Sequence, residues 1–248
     1  MYSEHSRMAT VSEFAEKRVR EIVSDFLPYR KTGEFLDIGS GAGSLLTAAA
    51  ENGWNATGTE VSDSAVKALR DRGYNVFHGF LADAGFEAER FDVVTASEVI
   101  EHVDEPLEFV KYVYTILRPG GLFWLTTPHG NGVASRLLHE RWSQVEPPVH
   151  LHLFTRRGLE TLLNRVGFGT VKVYSQGVNP YEIFYNLRHK VDTENQHNHL
   201  KDQLDFKDAV ELNASFSQTG WKRSIKNAAN GTLRMLNIGD SLKATAIK

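Results

Sequence analysis

The 248-residue chain contains no cysteine, which excludes disulfides, thiolate nucleophiles and Cys-rich zinc sites together. Nothing in it calls for an oxidising compartment, so a cytoplasmic location is expected. It also lacks any apolar run near the roughly 18 residues that a membrane-spanning helix needs. Its start, Met1-Tyr2-Ser3-Glu4-His5, does not have the charged-then-apolar layout of a signal peptide. No membrane span is expected. An excess of one charge is missing too: 28 basic against 31 acidic side chains give a net charge of −3. With no block of like charges to track phosphates, nucleic acid is a disfavoured partner. What the chain does have is 41% hydrophobic residues, enough for one large core or a single α/β domain with an added cap.

Strands and helices alternate along the sequence. Val11, Phe14, Val19, Ile22, Val23, Phe26 and Leu27 recur at helical spacing and predict an amphipathic helix over 11–27, ending before Pro28. Glu34 to Ile38 reads as a buried strand, Ser44 to Ala50 as a helix stopped by Asn52-Gly53, and Asn55 to Glu60 as a second strand. Ser62 is placed to cap a helix running to Arg72-Gly73, and Asn75 to His78 forms a third strand. Phe91 to Ala96, Leu122 to Pro128 and Thr170 to Tyr174 predict three more, with helices over 106–117 and 155–166 between them. This alternation implies parallel pairing through right-handed crossovers, hence an α/β, doubly wound, Rossmann-like sheet of about seven strands. The last strand, within 240–247, is expected to be antiparallel. Residues 1–175 with 240–248 are expected to form one domain. Residues 176–239 are too long for a structureless connection, and their apolar residues, among them Phe206, Val210, Trp221 and Leu233, suggest a helical insertion. It is expected to act as a lid over a substrate or as a packing element of a homodimer.

The turn Asp37-Ile38-Gly39-Ser40-Gly41-Ala42-Gly43 carries the first chemical signal. Glycines between a strand and a helix let backbone approach a ligand. A dinucleotide fingerprint starting at Gly39 would require glycine at position 44, which is Ser44; the third glycine falls at Gly43. Asp37 would oppose a pyrophosphate but could accept hydrogen bonds around a cationic amino-acid ligand. S-adenosylmethionine (SAM) has no phosphate and carries an ammonium and a sulfonium. Glu60, at the end of the second strand, can take both ribose hydroxyls.

Leu36 to Gly43, then Glu60, Phe91-Asp92-Val93-Val94 and Leu117-Arg118-Pro119-Gly120-Gly121 resemble the successive motifs of class I SAM-dependent methyltransferases, over roughly residues 33 to 174. The resemblance implies SAM contacts from Asp37, Gly39, Ser40, Gly41, Gly43, Glu60, Val61, Ser97 and Glu98. It places the adenine near Phe80 and Leu81, where the family's usual Asp is not evident.

After the fourth strand comes Ser97-Glu98-Val99-Ile100-Glu101-His102. On a helical turn, Glu98, Glu101 and His102 would share one face, and two carboxylates with an imidazole suit Mg²⁺ or Mn²⁺. The set resembles the Glu-x-x-Glu-His of quinone-biosynthesis O-methyltransferases and of small-RNA 2′-O-methyltransferases, where it implies a divalent metal; His150 matches the later histidine of the RNA enzymes. Without a metal, His102 or His150 is the candidate base, because a histidine with a reference pKa near 6.5 can take a hydroxyl proton. With a metal, Glu98, Glu101, His102 and His150 are the candidate ligands. His152 is expected to be structural, and His189, His197 and His199 to face water. The expected acceptor is a small-molecule, glycan or secondary-metabolite hydroxyl. RNA 2′-O-methylation and a catalytically silent SAM-binding partner are the alternatives.

Overall fold

The structure is a computed structural model and describes residues 13–188 and 237–248. Seven strands form one sheet: β1 (Glu34–Ile38), β2 (Asn55–Glu60), β3 (Asn75–His78), β4 (Phe91–Ser97), β5 (Leu117–Pro128), β6 (Thr170–Gln176) and β7 (Ser241–Ile247), in the order β3-β2-β1-β4-β5-β7-β6. The pairs β1–β2, β1–β4, β2–β3 and β4–β5 are parallel, and the last strands are antiparallel, as expected. The chain runs outward from β1 to β3 and then returns to β4 on the other side of β1. The reversal lies between β1 and β4, where folds of this kind bind their ligands at the carboxyl ends of the strands. The almost continuous burial of β1 and β4 is what a sheet covered on both faces requires.

The chain divides into two compact units, the first Met1–Thr126, Glu160–Lys172 and Ala244–Lys248, the second Thr127–Leu159 and Val173–Lys243. In the first, helices α1 (Glu13–Ser24) and α2 (Ser44–Glu51) supply Val23, Leu45, Ala48 and Ala49 to a core with Phe26, Phe35, Trp54, Val93, Leu122 and Trp124. Phe26 meets Trp124 edge-on, ring centroids 6.0 Å apart. Helix α3 (Asp63–Asp71) packs Val66 and Leu69 on Leu46 and Val76. The first helix is shorter than 11–27: α1 stops at Ser24, and Pro28 lies in a separate 3₁₀ turn over Leu27–Tyr29; Val11 falls outside the described residues.

Helix α4 (Pro106–Ile116) runs directly into β5. Arg118-Pro119-Gly120-Gly121 is therefore the first stretch of a strand and not a turn. Pairing across the sheet overrides the local signal: Leu117 registers with Phe91 at a bulge, and the Gly120 and Lys248 N–H groups donate to the Lys248 and Gly121 carbonyls at 2.7 and 3.1 Å. Proline is tolerated where such irregularity spares its missing N–H.

The second unit contains α5 (Val133–Leu138) and a further helix, Pro180–Arg188. Ala134, Leu138, Trp142 and Ile183 form its apolar centre. Asp240 stitches it together: its carboxylate accepts the Ala134 N–H at 2.7 Å and the Asn179 N–H at 3.2 Å, and its carbonyl accepts the His129 N–H at 2.8 Å. Asp240→Ala leaves two amide donors without an acceptor, at about 1–3 kcal/mol. The Ala134 and Asn179 amides should then exchange hydrogen much faster, while those of β1 and β4 keep their protection. Residues 189–236, which hold most of the expected insertion and His189, His197 and His199, lie outside the described residues.

Candidate active site

Two turns of the first unit, one after β1 and one after β4, form the candidate site. Gly39, Gly41 and Gly43 all have positive φ, at 66°, 51° and 79°, so the backbone coils tightly into α2. Gly39 has a second constraint. A Cβ there would lie 2.7 Å from Val99 Cγ2, so the glycine turn rests directly on the turn that carries Glu98, Glu101 and His102. Ser40 anchors the coil, with Oγ donating to the Asp37 carbonyl at 2.9 Å and N–H to the Thr59 carbonyl at 3.0 Å. Gly58, in the middle of β2, leaves the space that the Ser40 hydroxyl occupies.

Asp37 is 2% exposed. Thr95 Oγ1, its register partner on β4, donates to its Oδ1 at 2.7 Å. Burial pushes the Asp37 pKa from 3.8 to about 7, and the nearby Glu60 charge adds to the rise, against the hydrogen bonds of Thr95 and Ser40. Between pH 4 and 7 the folded chain therefore holds a proton on Asp37 that the unfolded chain has lost. Stability falls with rising pH wherever the native state binds more protons than the unfolded one. Without ligand, the unfolding midpoint should decline from pH 5 to pH 7.5, and Asp37→Asn should remove that part of the decline. A cationic group beside the carboxylate reverses the balance, so cofactor affinity should increase over the same interval.

Glu60 bridges the neighbouring turns. Its Oε2 accepts the Gly41 N–H at 2.8 Å, and its Oε1 accepts those of Val61 and Ser62 at 2.8 and 2.9 Å. These bonds fix the carboxylate at the end of β2. Val61 and Phe80 are exposed, and Leu81 is buried. Ser97 pairs its hydroxyl with Thr126 Oγ1 at 3.0 Å.

The acid turn differs from the helical turn expected. Glu98 has a left-handed backbone, φ 53°, and only Ile100–His102 is helical, as 3₁₀. The three side chains are nevertheless gathered. Glu98 reaches the surface, yet the protein crowded around its carboxyl desolvates it and raises its pKa, against hydrogen bonds with Thr126 and Glu101 and the charge of His102. Glu101 is wholly buried, and its Oε1 lies 4.0 Å from His102 Nε2. A hydrogen bond between two carboxyl groups requires a proton on one of them, in line with the raised Glu98 pKa. His150 belongs to the second unit, where its Nδ1 pairs with the Gln144 carbonyl at 2.7 Å. His152 is in the same unit, with a buried Nε2 that has no hydrogen-bond partner among the described residues.

Thr95, Val99 and Thr126 shape the site and were not among the residues singled out from the sequence. Thr95 is findable: a hydroxyl inside the apolar run Val93-Val94-Thr95-Ala96 needs a polar neighbour.

A seven-stranded sheet with this turn at its reversal point has the architecture of class I SAM-dependent methyltransferases. The chain belongs to the methyltransferase-domain family, whose model matches residues 11–173. A ubiquinone biosynthesis O-methyltransferase of Coxiella burnetii is 27% identical over 154 residues, 60% of this chain and 58% of that protein. Its counterpart in Actinobacillus pleuropneumoniae is 32% identical over 118 residues, 42% and 50% of the two chains. The match thus spans little more than half the length of these curated relatives. A SAM-dependent methyltransferase of Archaeoglobus fulgidus has the same fold, with a TM-score of 0.61 at 18% identity and 94% coverage of both chains. Among the described residues, no helix is long and apolar enough to cross a membrane.

Proposed function

We propose that the chain is a SAM-dependent O-methyltransferase acting on a hydroxyl group of a small molecule, glycan or secondary metabolite. The observation that carries this reading is the direct packing of Gly39 on Val99, which joins a turn suited to a cationic amino-acid ligand to a turn bearing acids and an imidazole. The relatives named as ubiquinone biosynthesis O-methyltransferases support an oxygen acceptor.

The residues present fit SAM. Asp37 is a buried carboxylate that gains from a cation, Glu60 is fixed to meet ribose hydroxyls, and above Gly41 a Cβ would meet nothing nearer than the Gly39 carbonyl oxygen at 4.0 Å. When bound, SAM supplies an electrophilic methyl group on a sulfonium. The chain's task is then to hold the acceptor oxygen in line and to keep water out. His102 is the candidate base that takes the hydroxyl proton, with His150 of the second unit as the alternative. Glu98, Glu101 and His102 offer the oxygen and nitrogen donors that Mg²⁺ or Mn²⁺ prefers, with His150 the further ligand implied by the resemblance; such an ion would lower the hydroxyl pKa.

The test is transfer of a labelled methyl group from SAM to separate panels of phenols, sugars and short RNAs, with and without chelator. Label on a phenol or sugar, lost in His102→Ala, supports the proposal, and sensitivity to chelator adds the metal. Label on RNA alone would replace it with 2′-O-methylation. Tight SAM binding with no transfer to any panel would identify a silent SAM-binding partner.

A further inference from the structure

The glycine turn has an outer wall as well as an inner one. Inside, Asp37, Glu60 and Ser40 hold its backbone. Outside, the carboxyl end of α3 closes on it. Leu69 fills the space that a side chain on Gly43 would take. Arg72, the residue that caps α3, reaches across the chain with both arms of its guanidinium. One nitrogen donates to the Ala42 carbonyl at 3.0 Å, and the other to Thr47 Oγ1 on α2 at 2.8 Å. The guanidinium lies over the Tyr74 ring, 5.0 Å from its centroid, so the fork is held in plane by stacking as well as by its two acceptors.

This arrangement is unusual in its economy of contact. Arg72 is exposed and carries no core packing that its loss would collapse, yet it ties the carboxyl half of the turn to the helix that follows. Three glycines, Gly39, Gly41 and Gly43, make the turn intrinsically loose, since glycine loses the most conformational freedom when ordered. A ligand that binds the turn must supply whatever ordering the protein has not already supplied.

We propose that Arg72 is a positioning residue that sets affinity for SAM by pre-ordering the Ala42–Gly43 half of the turn. The inference rests on the methyltransferase reading of the turn and adds a residue that acts through the backbone without touching the ligand. It also makes a distinction between fork and charge. If the planar fork matters, lysine cannot replace arginine, because one ammonium does not hold two separated acceptors and a stacked ring together.

The experiment is calorimetric titration of the full chain with SAM and with its demethylated product, at low and high salt, for wild type, Arg72→Leu, Arg72→Lys and Thr47→Val. Arg72→Leu and Arg72→Lys should both weaken binding of the two ligands by about three- to tenfold, the scale of one or two net hydrogen bonds, with little salt dependence and a thermal midpoint lowered by only a few degrees. Thr47→Val should weaken it less, and adding it to Arg72→Leu should cost nothing more, because the two residues act as a pair. Full affinity in Arg72→Leu would overturn the proposal. So would full rescue by lysine with binding that declines in salt, since that would mean long-range charge and not a positioned turn. If wild type itself binds neither ligand, the functional reading fails first, and the inference fails with it.

Discussion

Asp92→Ala should lower stability by about 3–5 kcal/mol, the usual result of stripping one partner from a buried ion pair, and the thermal midpoint by on the order of 10 °C in a chain of this size. Asp92 stands near the amino end of β4, at the edge of the sheet opposite the candidate site, and is 0% exposed. Its Oδ2 accepts three consecutive N–H groups, Lys31 and Thr32 at 2.8 Å and Gly33 at 2.7 Å. Its Oδ1 meets the Arg118 guanidinium, which also donates to the Tyr29 and Pro119 carbonyls. Burial alone would raise the Asp92 pKa, but Arg118 and the Lys31 and Gly33 amides outweigh it and hold the carboxyl below its usual range. Removing the carboxylate strands a buried guanidinium and three amides at once. Replacing both partners, as in Asp92→Ala with Arg118→Met, should recover part of the loss because no buried charge remains. Chemical denaturation of the three variants checks this, and equal stability of Asp92→Ala and wild type would contradict it.

Gly39→Ala should lower SAM affinity by roughly ten- to a hundredfold while leaving the fold in place. Two costs combine. Alanine is strained at a φ of 66°, by about 1–3 kcal/mol. Its Cβ would also lie 2.7 Å from Val99 Cγ2, the end of a β-branched side chain with little rotamer freedom to yield. The strain is relieved by moving either the glycine turn or the acid turn, so the variant should lose both cofactor affinity and turnover. Circular dichroism should stay native while binding collapses. Retained affinity would mean that the two turns are not coupled.

Legibility of the fold followed the strength of local punctuation. The bounds of β1, β2 and β3 agree with the sequence reading because Gly33, Asn52-Gly53 and Gly73 interrupt apolar runs at each end. The start of β5 lies before the Leu122 expected from the sequence, because Pro119-Gly120-Gly121 is a strong local turn signal while its pairing with Phe91 and Lys248 is set by residues remote in sequence. The same remoteness hides the role of Asp92, whose partners at 31–33 and 118 meet only once the sheet has formed. At the candidate site, Asp37, Glu60, Glu98, Glu101 and His102 stand out in the sequence by residue type and by their position at or just after strand ends. Their conformations were not. Glu98 adopts a left-handed backbone that no helical pattern predicts, and the carboxylate of Glu60 is committed to three amides that sequence does not place near it. Spacing identified the acids; tertiary hydrogen bonds decide what each holds.

On the proposed function, the turn after Asp37 binds SAM through a buried carboxylate and the acid at the end of β2. Calorimetric titration of SAM into wild type, Asp37→Asn and Glu60→Ala, each confirmed to be folded, tests it most directly. Wild type should bind one SAM saturably, more tightly as pH rises toward 7.5, and either variant should lose on the order of a hundredfold, as for a charge-assisted contact removed from a desolvated site. Wild-type affinity in both variants, or no binding of SAM by the wild-type chain, would contradict it.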